Sequence, residues 1–140
     1  MRRLLVSVVA IAATLGVLAI GQTTAWAGSP HFVTVSATRT GNTLTVTGKE
    51  AGLGNEAQVH VVVTATALCI NGGGNHPKAV NKESVSAEGT FPVQNGKADF
   101  TLSITATFQP SCNPPMTVAF TDVVVTDTTN GISEALPGTF

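Results

Sequence analysis

After residue 30, hydrophobic and polar residues alternate along most of this chain with the period of two that is typical of β-strands. In the longest alternation, residues 57 to 69, valines and alanines share one face while His60 and Thr64 share the other. Cys69 continues the valine face, so we expect its side chain to point into the core. Gly, Asn and Pro interrupt the pattern at regular intervals, as turns do. The pattern predicts seven strands: about 31–38, 43–48 and 57–69, two runs flanking residues 95 and 96, then 116–126 and 132–136.

The strongest local signal is Asn95-Gly96, a turn dipeptide between two alternating runs, which predicts a β-hairpin. Pro92 cannot donate a backbone hydrogen bond, which favours a four-residue loop, Gln94 to Lys97, or else an edge strand. The register expected for this hairpin pairs Val93 with Ala98, Phe91 with Phe100, Ala87 with Ile104 and Val85 with Ala106.

The spacing of strands and turns predicts an all-β fold: a seven-stranded antiparallel β-sandwich of immunoglobulin-like, Greek-key type, with a small barrel as the alternative. In the sixth run the apolar phase shifts by one position after Phe120. Such a shift indicates a β-bulge near Thr121-Asp122 or burial on both faces. The buried tryptophan and tyrosine corner of true immunoglobulin domains cannot be present, because Trp26 precedes the first strand and the chain has no tyrosine.

Residues 1–27 predict a secretory signal peptide, with the basic start Arg2-Arg3, an apolar stretch from Leu4 to Ile20 and an A-x-A cleavage site at Ala25 to Ala27. The apolar stretch falls short of the ~20 residues of a comfortable membrane span, which disfavours an uncleaved anchor. Residues 28–140 then form a single domain. We expect a secreted, extracellular protein of bacterial origin.

The charge of the exported chain argues against two classes of partner. Without the leader, five Lys and Arg stand against eight Asp and Glu, a net charge of −3. No basic patch is present to meet a phosphate backbone or an anionic membrane. We therefore expect neither nucleic acid nor membrane as a partner, and no cofactor. The six Phe, without Tyr or Trp, offer few of the aromatic anchors that dominate binding hot spots.

Cys69 and Cys112 are the two cysteines of the chain. In an oxidising compartment an even pair forms a disulfide by default, and this pair would close a loop of about 44 residues. A thiol nucleophile would need a nearby histidine, and a zinc site would need clustered ligands such as C-x2-C. Neither spacing is present, so we predict a structural disulfide.

The histidines do not predict an enzyme or a metal site. His31, His60 and His76 do not stand at metal-ligand spacing, and no G-x-S-x-G motif is present. His60 is expected on the outer face of its sheet. We therefore assign no catalytic residue and expect no enzymatic activity; an uncharacterised hydrolase would need a histidine and a carboxylate meeting at a cleft.

Three acidic residues, Asp122, Asp127 and Glu134, flank the last turn. They could collect a calcium ion together with backbone carbonyls, but they do not match the D-x-D-x-D-G loop. We therefore interpret them as an ordinary solvated face and predict no metal site.

Two loops are the predicted recognition surface, because binding groups usually lie on loops of a rigid scaffold. Segments 70–82 and 109–116 both adjoin the predicted disulfide, which would bring them to one end of the sandwich. The partner would be an unidentified extracellular protein or a small ligand. The candidate residues are Asn75, His76, Pro77, Lys78, Asn113, Pro114, Pro115 and Met116.

Two resemblances supply alternatives. Asn113-Pro114-Pro115 resembles the reactive loop of Bowman–Birk inhibitors, which implies a secreted protease inhibitor that uses residues 111–116; that family has many cysteines in a small knot, which this chain lacks. The first strands, Val33 to Gly48 with the motif Thr-x-Thr-Val-Thr-Gly, resemble the neocarzinostatin-type apoproteins. That resemblance implies a small-molecule carrier with a ligand cleft, although the family has two short-loop disulfides where this chain has one long-range pair.

Overall fold

A computed structural model describes residues 28–71 and 81–140. They form seven antiparallel strands in two sheets that pack as a sandwich, which confirms the predicted fold class. The predicted signal peptide lies outside the described residues, so it stays a prediction. The strands are β1 (His31–Thr40), β2 (Thr43–Ala51), β3 (Gln58–Ile70), β4 (Lys82–Pro92), β5 (Ala98–Thr105), β6 (Thr117–Asp127) and β7 (Ile132–Leu136).

One sheet has three strands in the order β1-β2-β5, and the other has four in the order β4-β3-β6-β7. In the constant immunoglobulin type, the fourth strand pairs with the fifth. Here β4 instead lies at the edge of the four-stranded sheet and pairs with β3. The connections β2–β3, β4–β5 and β5–β6 therefore cross from one sheet to the other.

The inner faces of the two sheets enclose one hydrophobic core, as the alternation predicted. Valine, leucine and alanine side chains fill the space between the sheets together with the rings of Phe100 and Phe120. Hydroxyl groups cover much of the outer face of the three-stranded sheet, where they bond across strands; one such pair joins Thr45 Oγ1 and Ser103 Oγ at 3.2 Å. The pattern of the sequence thus separates core from surface correctly for these apolar and hydroxyl-bearing side chains.

The expected hairpin register is wrong, although its turn is in the predicted place. Gln94 and Lys97 exchange backbone hydrogen bonds of 2.8 and 3.0 Å around a two-residue turn, so the four-residue loop is also wrong. Asn95 and Gly96 have φ of 52° and 72°, the backbone of a type I′ turn. Beyond that single pair the strands separate: β4 enters the four-stranded sheet and β5 the three-stranded one. The edge-strand interpretation of Pro92 is confirmed, since β4 is an edge strand.

Phe91 and Phe100, which the expected register places opposite each other in one hairpin, lie in different sheets but in the same hydrophobic core. Phe91 lies opposite Val59 in one sheet, and Phe100 lies opposite Gly48 in the other. The two phenyl rings meet across the sandwich, with centroids 6.1 Å apart and ring planes inclined by 55°. The apolar face was therefore predicted correctly, and the strand partner was not.

The bulge predicted in the sixth strand is confirmed. Thr64 pairs with Val124, and Thr66 pairs with Thr121, so β6 carries one residue more than β3 over this interval. Asp122 has a φ of 53°, in the left-handed region that aspartate tolerates better than most residues. The extra residue restores the inward orientation of Val123 and Val125, both fully buried.

Candidate functional site

The disulfide Cys69–Cys112 is present, as predicted, and closes one end of the sandwich. Its sulfur atoms are 1.99 Å apart, and its Cα atoms 5.8 Å. Cys69 is the second-last residue of β3 and is 97% buried on the inner face, where the alternation had placed it. Cys112 lies in the connection between β5 and β6. We call residues 106–116 together with this disulfide the disulfide end.

The exposed part of the disulfide end is a short segment tied down on both sides. Asn113, Pro114 and Pro115 are exposed, while Cys112 before them is bonded to β3. After them Met116 is half-buried, with its Sδ atom 3.7 Å from Cys69 Sγ. The N–H of Met116 donates a 2.9 Å hydrogen bond to the carbonyl oxygen of Asn113. The segment therefore projects from a covalent anchor and is closed by a turn.

The other predicted loop is described only at its borders. Asn75, His76, Pro77 and Lys78 lie outside the described residues, so their part in a site stays a prediction. Lys82 pairs with Leu68 next to Cys69, which places the C-terminal border of that loop at the disulfide end. A recess of about 290 Å³ lies on this end, lined among others by Asn42, Phe108, Cys112 and Asn113.

His60 meets a carboxylate and a hydroxyl on the outer face of the four-stranded sheet. Its Nε2 atom lies 3.0 Å from Glu88 Oε2, and its Nδ1 atom lies 3.1 Å from Thr90 Oγ1. This order of hydroxyl, imidazole and carboxylate has the connectivity of a nucleophile–base–acid set. The side chains of His60 and Glu88 are 38% and 68% exposed on a sheet surface, whereas a catalytic set needs a cleft and an oxyanion hole. We interpret the set as a cross-strand surface pair.

The acidic residues of the last turn do not form the single solvated face that was expected. Asp122 is exposed at the bulge, but Asp127 is fully buried, so the prediction is wrong for this residue. Asp127 Oδ1 accepts hydrogen bonds from the backbone N–H groups of Thr129 and Asn130, at 2.8 and 3.2 Å. The carboxylate thus holds the β6–β7 turn, since asparagine and aspartate stabilise turns by such bonds.

A second acidic residue, which the sequence pattern did not single out, lies buried beside Asp127. Glu50, near the end of β2, is fully buried, and neither of its carboxylate oxygens has a hydrogen-bond partner among the described residues. Glu56 and Asp127 are joined through Asn130, whose Nδ2 donates to Glu56 Oε2 at 3.0 Å and to Asp127 Oδ2 at 2.6 Å. We call Glu50, residues 52–57 and the turns 94–97 and 128–131 the acidic end; it lies opposite the disulfide end.

The surroundings of Glu50 favour its protonated form. Burial raises its pKa from the ordinary 4.5 to about 7, and the negative charges of Asp127 and Glu56 add to the increase. Each of these causes disfavours the ionised carboxylate. One signal in the sequence could have located Glu50: the inward positions Leu44 and Val46 continue in steps of two to residue 50, provided that β2 runs past Gly48.

The described residues do not present a preformed metal site, because no three His, Cys, Asp or Glu side chains there stand close enough to hold an ion. In residues 28–71 and 81–140 no helix has the length and apolarity needed to cross a bilayer.

A recess of about 480 Å³ beside the bulge, lined among others by Val124, Leu136 and Pro137, is open to solvent and lies outside the core. The carrier interpretation would need a concave cleft between the sheets, where the core side chains now pack.

Comparisons with known proteins leave the chain without a family assignment. No family model matches it, and neither a curated protein nor a solved structure shows significant similarity to it.

Proposed function

We propose that this protein is exported and recognises an extracellular partner through the disulfide end, without catalysing a reaction. The observation that carries the proposal is the exposed segment Asn113-Pro114-Pro115, held between the Cys112 anchor and the Met116 turn. A segment fixed in this way loses less conformational entropy on binding than a free loop. The borders of residues 72–80 lie at the same end, which supports a surface made of both loops.

The first experiment compares two positions on the same protein. A photo-crosslinking amino acid is placed at position 114 and, as a matched control, at position 45 on the exposed outer face of β2. Purified protein is then illuminated with the extracellular fraction of the source organism. We expect one dominant adduct from position 114 and none from position 45. Equal adducts at both positions would place recognition elsewhere or show that contact is non-specific.

The second experiment asks whether the loops supply the affinity. In the loop variants, Gly-Ser sequences replace Asn113-Pro114-Pro115 and Asn75-His76-Pro77, and circular dichroism should show an intact fold. Added in excess without a crosslinking residue, these variants should no longer reduce the adduct formed from position 114, whereas wild type should reduce it. The control double variant Thr45→Ala/Ser103→Ala removes an exposed hydroxyl pair and should compete as well as the wild type. Full competition by the loop variants would contradict the proposal.

Protease inhibition is the second candidate, and the same exposed segment favours it. An inhibitor presents its reactive bond in a segment held rigid by a disulfide, and residues 111–116 include Cys112. A panel of trypsin-, chymotrypsin- and subtilisin-type enzymes tests this directly. Inhibition that is lost in Pro114→Gly/Pro115→Gly would support it, and cleavage within 111–116 without inhibition would exclude it.

A further inference from the structure

Glu50 occupies a core position in β2. The even-numbered residues Leu44 and Val46 of this strand point inward, and Glu50 follows in the same phase with none of its surface exposed. Its neighbours across the sheet are Phe32 on β1 and Ala98 on β5, which offer no side-chain hydrogen bond. A buried polar group without a partner loses its hydrogen bonds to water and forms none in the protein, which lowers the stability of the fold.

The charged groups near Glu50 increase this cost. Asp127 from the end of β6 and Glu56 from the β2–β3 loop both act on it, and both are acidic. The other described titratable groups on the surrounding elements do not offset these negative charges. Lys49 points to the outer face, where it forms an ion pair with Asp99 at 3.6 Å, and His31 and Lys97 are exposed. Glu134 on β7, which lies opposite Val125, is itself acidic.

We propose that Glu50 is a proton-sensitive contact between the two sheets, which keeps the acidic end closed while it carries a proton and loosens that end when it ionises. Ionisation places a third negative charge in a cluster where Asn130 already donates its Nδ2 protons to two carboxylates. The charge is relieved when the 52–57 loop and the 128–131 turn separate from β2 and admit water. The acidic end thereby gains a conformational response to pH that the disulfide end does not share.

The pH range follows from the direction of the shift. The folded-state pKa of Glu50, about 7, lies above its ordinary 4.5. Between these values the unfolded chain has released the proton and the folded protein has kept it, so stability decreases as the pH rises. The contribution is complete below about 4.5 and is lost above about 7. Other carboxylates titrate with their own signs, so the comparison must be made between variants.

The first test measures the equilibrium unfolding constant by urea denaturation at pH 5 and pH 8 for wild type and Glu50→Gln. The shift from 4.5 to about 7 predicts that the ratio of the two unfolding constants changes by roughly 70-fold between these pH values. Asp99→Asn is the matched control, because this carboxylate is exposed and its partner is Lys49 rather than a histidine; it should behave like wild type. A ratio that is the same at both pH values would overturn the proposal.

The second test does not depend on a variant and reports where the protein opens. Hydrogen exchange, corrected for its intrinsic pH dependence, is followed at backbone amides of both ends between pH 5 and 8. We expect protection to fall with pH at Leu53 and Thr128, which donate to Gly96 and His60, and to stay constant at Ala106, which donates to Asn42. An equal loss of protection at both ends would overturn the proposal, because the opening would then not be confined to the acidic end. Carboxyl NMR of the wild type should show Glu50 titrating near pH 7, and a value near 4.5 would contradict the proposal.

A cation is the competing interpretation of the same carboxylates. Calcium prefers carboxylate and amide oxygens, so millimolar CaCl2 is added at pH 8 to wild type and to Glu50→Gln. The proposal expects the same melting temperature with and without calcium in both proteins. If calcium raises the melting temperature of wild type but not that of Glu50→Gln, the proposal is overturned, because a bound ion would then neutralise the ionised carboxylate.

Discussion

Removal of the Cys69–Cys112 disulfide is expected to destabilise the protein by about 4 kcal/mol. The two cysteines are 43 residues apart in sequence, so the bond restricts a long loop of the unfolded chain. For a loop of about 44 residues, the chain-entropy relation gives an entropy loss of ~13 cal/mol/K, or about 4 kcal/mol at 25 °C. That is a large fraction of the 5–15 kcal/mol that stabilises a typical domain, to use the approximate general range.

The assay is urea denaturation of three samples: oxidised wild type, wild type reduced with dithiothreitol, and the double variant Cys69→Ala/Cys112→Ala. With a urea dependence of roughly 1.5 kcal/mol/M for a domain of this size, the midpoint should fall by roughly 2–3 M on reduction. The double variant should lose slightly more, because Cys69 is a buried core residue and alanine leaves a small cavity. It also controls for the reductant, which should not change it.

One result would refute this reasoning. If reduced and oxidised wild type unfold at the same urea concentration, the disulfide gives no net stabilisation of the fold. If reduction leaves the midpoint unchanged but increases hydrogen exchange at the Met116 amide, which donates to Asn113, the disulfide orders the 111–116 segment without stabilising the fold. In that case the bond would matter for the proposed recognition surface alone.

Two further substitutions test the packing and the backbone of the sheets. A Cβ atom at Gly48 would overlap the ring of Phe100 and lie 2.9 Å from the carbonyl oxygen of Thr34, so Gly48→Ala should cost about 1–3 kcal/mol in thermal or urea unfolding; an unchanged stability would mean that the sheet can shift there. At the bulge, where φ is 53°, Asp122→Val should destabilise by about 1–2 kcal/mol while Asp122→Gly is tolerated; equal stability of the two variants would contradict a left-handed residue 122.

The strand positions and the inward orientation of Cys69 could be predicted because both depend on one local property, the period of two; the disulfide itself was predicted from an even pair of cysteines in an exported chain. Alternation from residue 57 to 69 fixes which side chains face inward, and Cys69 falls in the inward phase. The bulge follows from the same property, since a change of phase within β6 must be absorbed by an extra residue. The strand positions, the inward phase of Cys69 and the bulge can all be predicted without knowing which strands are neighbours in the sheets.

The partner of β4 could not be predicted because alternation does not identify a neighbour. Phe91 and Ala87 find apolar inward neighbours on β3, with Val59 and Val63, as readily as they would on β5. The Asn95-Gly96 turn is compatible with a hairpin and with a tight corner between two sheets, and its local hydrogen bonds are the same in both. The choice depends on long-range packing of the whole sandwich.

The acidic end was missed for a different reason. The sequence pattern predicts that the second strand ends at Gly48, which leaves Glu50 in a loop where an exposed carboxylate is ordinary. The strand in fact continues to Ala51, and the same parity that buries Val46 then buries Glu50. Likewise Asp127 continues the inward phase of Val123 and Val125. An acidic side chain is usually exposed to solvent, but the inward phase of the strand buries Glu50 and Asp127 in spite of their charge.

The two unusual features of the backbone and core differ in how far the fold explains them. The left-handed Asp122 is accounted for by the bulge, which β6 needs in order to keep its valines inward. Glu50 has no such account: an apolar residue of similar volume would fill the same space without a buried carboxyl group that lacks a hydrogen-bond partner in the described part of the chain, and the protein is expected to be more stable with it. Positions that break a local rule without a compensating structural gain are expected to be functional or strained sites. The carboxyl of Glu50 costs stability in the core, and its proton, which the surroundings hold to about pH 7, is the property that an apolar replacement would remove.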